Sequence, residues 1–180
     1  MDTRNLSGKV GVVTGAGSGI GRATALALAE RGANLAICDV DDVGLAETAD
    51  RIKALGREVF SQTVDVAQAD AMQAFSQATR SALGRVDIVV NNAGIGLAGL
   101  FVDVPLEAWT KILGINISGV IHGCHAFLPG MIEADAGGHI VNIASMAGYC
   151  QAPGMTAYGT TKFGVLGFSE SLRAELSIHG

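Results

Sequence analysis

Along this chain, short runs of apolar residues alternate with longer segments in which apolar positions recur every three to four residues. Residues 9–14 carry Val10, Val12 and Val13 and run into a glycine-rich turn. Residues 20–31 follow as an Ala/Leu-rich helix that Gly32 ends. Residues 34–39 form a second apolar strand, and the spacing predicts a helix over 43–55, with Asp41 or Asp42 placed to cap it and Gly56 to stop it. Residues 58–65, 86–91 and 138–143 read as three further strands, with helices near 70–83 and 105–128. Pro105 suits the first position of its helix, and a last helix runs from near Tyr158 to about Ser177.

Five nearly all-apolar strands alternating with helices predict an α/β fold: a doubly wound parallel sheet in three α/β/α layers, with right-handed crossovers. Ligands then belong at the carboxyl ends of the strands. The sequence holds no solenoid-period repeat, low-complexity segment or obvious linker, so residues 1–180 are expected to form one domain.

Composition narrows the function. Hydrophobic residues make up 49% and charged ones 16% of the 180, which suits a sheet buried on both faces. Acidic residues outnumber basic ones, 17 to 12, and no Lys/Arg cluster stands out, which argues against nucleic acid or an anionic membrane as partner. Small, neutral or modestly polar substrates fit better. Cys38, Cys124 and Cys150 have neither metal-ligand spacing nor the even count of a disulfide framework, so a reducing, cytoplasmic setting is expected. Residues 1–9 lack an apolar signal-type run, and no run of about 18 apolar residues suggests a membrane span.

The turn Thr14-Gly15-Ala16-Gly17-Ser18-Gly19-Ile20-Gly21 lies between strand and helix. There glycines let the backbone approach a pyrophosphate and the helix N-terminus offers oriented N–H groups. A strict G-x-G-x-x-G does not fit, because its third glycine falls on Ile20. The glycines stand at Gly15, Gly19 and Gly21, with Ser18 and Ile20 between, and a Rossmann-type sheet is expected from the strand-turn-helix setting. Asp39 closes the second strand, where a carboxylate can accept from both adenosine ribose hydroxyls and repel a 2′-phosphate, so NAD is expected over NADP. The absence of Arg or Lys at Ser18 and Val40 points the same way. A plain turn, and an acid that only caps a helix, are the structural alternatives.

Ser145 follows the fifth strand, and Tyr158 and Lys162 stand four apart at the start of the next helix, projecting from one face. A tyrosine, ordinarily titrating near 10, needs a nearby cation to act as a base at neutral pH, and Lys162 is in reach to provide it. Ser145 can hydrogen-bond a substrate oxygen.

With Asn116 in the preceding long helix, this set resembles the Asn-Ser-Tyr-Lys tetrad of the short-chain dehydrogenases/reductases, as Gly15, Gly19 and Gly21 resemble their T-G-x-x-x-G-x-G turn. Asp65-Val66 is similar to the family's adenine-contacting Asp, and Asn91-Asn92-Ala93-Gly94 to its N-N-A-G segment. The resemblance covers residues 8–176 and implies a hydride transfer between nicotinamide and a secondary alcohol or ketone. It implies Tyr158 as general acid/base, ribose contacts from Tyr158 and Lys162, and Asn116 helping to hold a water beside Lys162. For Asn116 a helix-packing hydrogen bond is the equal reading from its Gly/Ile-rich surroundings.

The rivals lack support. His122, His125, His139 and His179 are not arranged as metal ligands, and no G-x-S-x-G elbow surrounds Ser145. Met146, Tyr149, Cys150, Gln151 and Met155 are expected on the substrate side without ranking. The last residues fall where family members begin a sixth strand, so a longer polypeptide is expected, with the fifth strand otherwise an open apolar edge. Were 180 residues the whole protein, a non-catalytic nucleotide-binding role would gain weight. Spare apolar residues on the two long helices, Trp109, Ile112, Phe163 and Phe168, and the family resemblance point to a homodimer or tetramer.

Overall fold

A computed structural model describes residues 5–150 and 152–179. Five strands, β1 (Val10–Thr14), β2 (Asn34–Asp39), β3 (Val59–Thr63), β4 (Ile88–Asn91) and β5 (His139–Asn142), form one sheet in the order β3-β2-β1-β4-β5. Every pairing is parallel. Helices α1 (Gly19–Glu30) and α2 (Asp42–Ala54) cover one face, packing Ala25, Ala29, Leu45, Ala49 and Ile52 on Val13, Leu35, Ile37 and Val90. The opposite face holds α3 (Ala69–Leu83) and α5 (Gly119–Glu133), whose Met72, Phe75, Phe127 and Met131 meet Val10, Val12, Ala36, Cys38 and Val89. Alternate residues of one strand thus serve two cores, as the two-residue strand period requires. Helix α6 (Thr156–Leu176) packs beside α5 through Val120, Cys124 and Val165.

The doubly wound parallel fold is the one expected, with differences in detail. The third strand is less apolar than the rest: Ser61 and Thr63 are exposed on the sheet edge. Asp41 caps α2, its carboxylate accepting from the Val43 and Gly44 N–H groups at 3.2 Å. Pro105 stays outside α4 (Leu106–Leu113) with an extended ψ of 151°. The helix expected to end at Leu128 continues through Pro129 to Glu133 and is broken midway by a π-helical turn, Gly114–Ser118. The helical stretch Leu106–Glu133 is long and apolar enough to cross a membrane by length and composition, although polar residues interrupt its apolar runs. Phe127 and Met131 pack on the sheet, Val120 packs with Val165 of α6, and Ile112 is fully buried. Of the four apolar residues expected to be spare, Ile112 is buried and Phe168 packs on the α5–α6 cluster. Trp109 meets Phe101 edge-on, and Phe163 stays 65% exposed.

Candidate active site

The strand order reverses between β1 and β4, and a cavity of about 740 Å³ opens across the carboxyl ends there. Gly15, Ser18, Gly19, Ile20, Gly21 and Asp39 line one end. Asp65, Val66, Asn92, Ala93 and Gly94 follow, and Ser145, Tyr158 and Lys162 line the other end. Of the expected catalytic and cofactor residues Asn116 lies behind the cavity wall, and Met146, Tyr149, Cys150 and Met155, expected on the substrate side, do not line the cavity.

The glycine turn is held from beneath and left open in front. Ala16 N–H donates to Cys38 O at 3.1 Å, and Gly17 N–H to Asp39 Oδ2 at 2.7 Å. Thr14 Oγ1 accepts from the N–H groups of Asn92 and Ala93, both at 3.0 Å. Asn92 Nδ2 in turn donates to Thr14 O at 2.9 Å and Gly15 O at 3.2 Å, so the ends of β1 and β4 are locked together. A Cβ on Gly21 would overlap Gly15 O and come within 2.7 Å of its carbonyl carbon, so only glycine fits. Gly19 has φ +51°, and a Cβ there would meet nothing within 4 Å. Helix α1 has no side-chain cap and no acid in its first turn, which leaves its leading N–H groups for an anion. Asp39 uses one oxygen on Gly17 N–H and the other on Asp41 N–H at 3.0 Å. About half of its roughly four acceptor positions stay free. These residues fit a dinucleotide: an open anion seat and, lining the same cavity, a carboxylate with acceptor positions free.

At the other end Lys162 is 5% exposed, and its Nζ donates to Ile143 O at 2.7 Å, 5.8 Å from the centre of the Tyr158 ring. Burial pushes its ammonium below the usual lysine range, and no carboxylate pairs with it among the described residues. Ser145 Oγ accepts from Ala147 N–H at 3.1 Å, so its own O–H is available to donate. Tyr158 O–H has no hydrogen bond among the described residues, and Tyr158 lines the same cavity. Asn116, fully buried on the π-helical turn, accepts from Ile95 N–H at 2.8 Å and donates to Ile95 O at 2.9 Å and Thr161 Oγ1 at 3.1 Å. Thr161 Oγ1 donates on to Tyr158 O at 2.7 Å. The amide of Asn116 thus ties the loop after β4 to the helix that carries the Tyr/Lys pair.

Ile95 and Thr161 had no sequence signal, the first reading as loop and the second as the filler of Tyr-x-x-x-Lys, and Thr14 was legible as the start of the glycine turn but not as a clamp on β4. Each acts through a partner far away in the chain. His122 Nδ1 bonds Val66 O at 2.9 Å, which anchors the middle of the cavity to α5. Met146 and Tyr149 are 71% and 73% exposed, and Cys150 is exposed as a free thiol, while Gln151 lies outside the described residues. Burial raises the Cys124 thiol to about 11, and the Cys38 thiol still further.

An α/β sheet with a nucleotide-type crevice and a Ser, Tyr, Lys cluster at its far end defines a dehydrogenase-like class of site. Residues 9–180 match the family model of the short chain dehydrogenases, and the chain belongs to that family. It is 47% identical over 168 residues to the Mycobacterium tuberculosis protein EphD, named as an oxidoreductase, covering 93% of this chain and 28% of that one. It resembles the crystal structure of a short chain dehydrogenase/reductase from Burkholderia phymatum in complex with NAD. There the TM-score is 0.95 and the identity 39%, over 98% of this chain and 63% of that one. Carveol dehydrogenase from Mycobacterium avium, also in complex with NAD, gives a TM-score of 0.95 at 32% identity, over 98% of this chain and 69% of that one. The chain thus spans about a quarter of EphD and about two thirds of these solved structures.

Proposed function

We propose that this chain carries the catalytic centre of an NAD(H)-dependent oxidoreductase acting on a secondary alcohol or ketone. One observation carries the reading: a single cavity joins an anion seat and the Asp39 carboxylate at one end to Ser145, Tyr158 and Lys162 at the other. NAD, when bound, supplies or accepts the hydride. In the alcohol-to-ketone direction Tyr158 takes the hydroxyl proton, and in reverse it returns a proton to the carbonyl oxygen. Lys162 stabilises the phenolate by charge, while Ser145 donates its O–H to the substrate oxygen and holds it against Tyr158. Asn116 holds α6 in place behind the pair and, on this reading, keeps solvent protons within reach of Lys162. Asp39, with Gly15, Ser18, Gly19, Ile20 and Gly21, holds the adenosine and pyrophosphate side, and Asp65, Val66, Asn92, Ala93 and Gly94 line the span between. The two NAD-bound relatives support the cofactor assignment.

Phe163 and Ile121, 65% and 39% exposed on α6 and α5, support a homo-oligomer built through these helices, and the three free cysteines support a cytoplasmic setting. Light scattering decides the first point, a monomer counting against it. For the reaction, NADH fluorescence and turnover on a panel of secondary alcohols and ketones are measured for the protein and for Tyr158→Phe. The variant is expected to bind NADH and lose turnover; retained turnover refutes the role of Tyr158, and binding without turnover in the unaltered protein refutes the enzymatic reading.

A further inference from the structure

Arg22 stands on the first turn of α1 beside the glycine turn, where a guanidinium invites reading as a phosphate ligand. Its side chain runs the other way. Nε donates to Thr48 Oγ1 at 3.0 Å, Nη1 pairs with Glu47 Oε2 at 3.0 Å, and Nη2 donates to Gly17 O and, at 3.2 Å, to Gly44 O. All three nitrogens are therefore committed to α2 and the turn, and Arg22 does not line the cavity. The residue it grips is the one that grips Asp39: Gly17 donates its N–H to Asp39 Oδ2 at 2.7 Å and accepts from Arg22 through its C=O. Thr48 adds a second hold, its hydroxyl donating to Ala16 O at 2.9 Å. The arrangement has no slack. A Cβ on Gly17 would sit 2.9 Å from Asp39 Cγ, and one on Gly44 would sit 3.1 Å from the Gly17 carbonyl carbon.

We infer that Arg22 is a positioning residue for cofactor choice: by fixing Gly17 from α2 it sets the orientation of the Asp39 carboxylate, and through it the preference for an unphosphorylated adenosine ribose. This rests on the NAD(H) reading above. A planar fork with donors in three directions is what the task needs, and a lysine ammonium on a flexible stem does not supply it.

Dissociation constants for NADH and NADPH, read by fluorescence titration, test the inference in the protein, Arg22→Gln, Asp39→Ala and the double variant. Arg22→Gln is expected to weaken NADH about tenfold, the size of one lost charge-assisted hydrogen bond, and to change NADPH less, so that selectivity narrows. In the Asp39→Ala background the same change should cost under about threefold, because its route to the ribose is already gone. Arg22→Lys should not restore the selectivity. Equal weakening of both dinucleotides, or effects that multiply in the double variant, would overturn the inference, since Arg22 would then act on the phosphates or on the fold alone. Thr48→Val keeps the side-chain shape and removes the hydroxyl, and should narrow selectivity in the same direction. If circular dichroism shows Arg22→Gln unfolded, this milder variant decides, with unchanged selectivity as the refuting result. A protein that binds neither dinucleotide removes the NAD(H) reading and the inference together, whereas NADH binding with unaltered selectivity in the variants overturns the inference alone.

Discussion

Gly123 on α5 lies directly over the buried side chain of Asn91 at the end of β4, and Gly123→Ala should destabilise the protein by about 3 kcal/mol. The added Cβ would overlap Asn91 Oδ1 and come within 2.9 Å of Cγ and 3.3 Å of Nδ2. Asn91 is 2% exposed, and its Nδ2 donates to Asn142 Oδ1 at 2.9 Å and to Cys124 Sγ at 3.4 Å. Its Oδ1 has no hydrogen-bond donor among the described residues, so the Gly123 Cα is what packs against it. Retreat of the amide by about 1 Å breaks the bond to Asn142 and leaves both groups buried, at roughly 1–3 kcal/mol. Overpacking adds about 1–3 kcal/mol, and the better helix propensity of alanine returns about 1 kcal/mol. The assay is urea denaturation followed by circular dichroism, extended to a double-mutant cycle with Asn91→Ala. The cut-back side chain makes room for the new methyl, so the double variant should be more stable than the sum of the singles by about 2 kcal/mol. A loss under about 0.5 kcal/mol, or strict additivity, would refute the packing argument. Because the next residues, Asn92 to Gly94, line the cavity, the same variant should also weaken NADH binding.

Asp87 is 4% exposed and accepts from Val10 N–H and Lys9 Nζ, both at 3.0 Å, and from Arg85. Burial works to raise its carboxyl, but the bonds from Val10 and Lys9 and the charge of Arg85 outweigh it and hold it below the usual aspartate range. A lowered folded-state value stabilises the fold above the unfolded value near 3.9, and that stabilisation is lost as pH falls through the folded value. Asp87→Asn should therefore cost about 2 kcal/mol in urea denaturation at pH 7, with the gap closing as pH falls below the unfolded value near 3.9 and through the lowered folded one; a pH-independent gap counts against it. Lys162→Met keeps the volume and removes the buried charge. With Nζ at 5.8 Å from the Tyr158 ring, the lost electrostatic support is about 3 kcal/mol at an effective dielectric near 20, so turnover should fall about 100-fold while Tm holds or rises. A falling Tm with turnover intact would reverse the assignment. Gly167 is exposed on α6 with nothing within 4 Å of its Cβ position, so Gly167→Ala should stabilise by about 0.5–1 kcal/mol; destabilisation would show that α6 is covered there.

The sequence by itself determined the elements, because they rest on short-range rules: the apolar runs of β1 and β2, an aspartate cap from Asp41 or Asp42 and the stop at Gly56 can all be read without knowing what packs where. It also located Gly15, Gly19 and Gly21 at a strand-to-helix turn, Asp39 at a strand end and Tyr158 and Lys162 on one helix face, since spacing alone sets those positions. Tertiary structure decided what no local pattern encodes. Thr14 became the clamp for β4, Asn116 turned its amide to Ile95 and Thr161, and Arg22 turned from the phosphate seat toward α2. Pro129 was absorbed into a helix whose packing on the sheet outweighed the missing donor. Side-chain bonds to distant backbone groups depend on the register and orientation of two separately formed elements, and those are fixed only when the two cores close on the sheet.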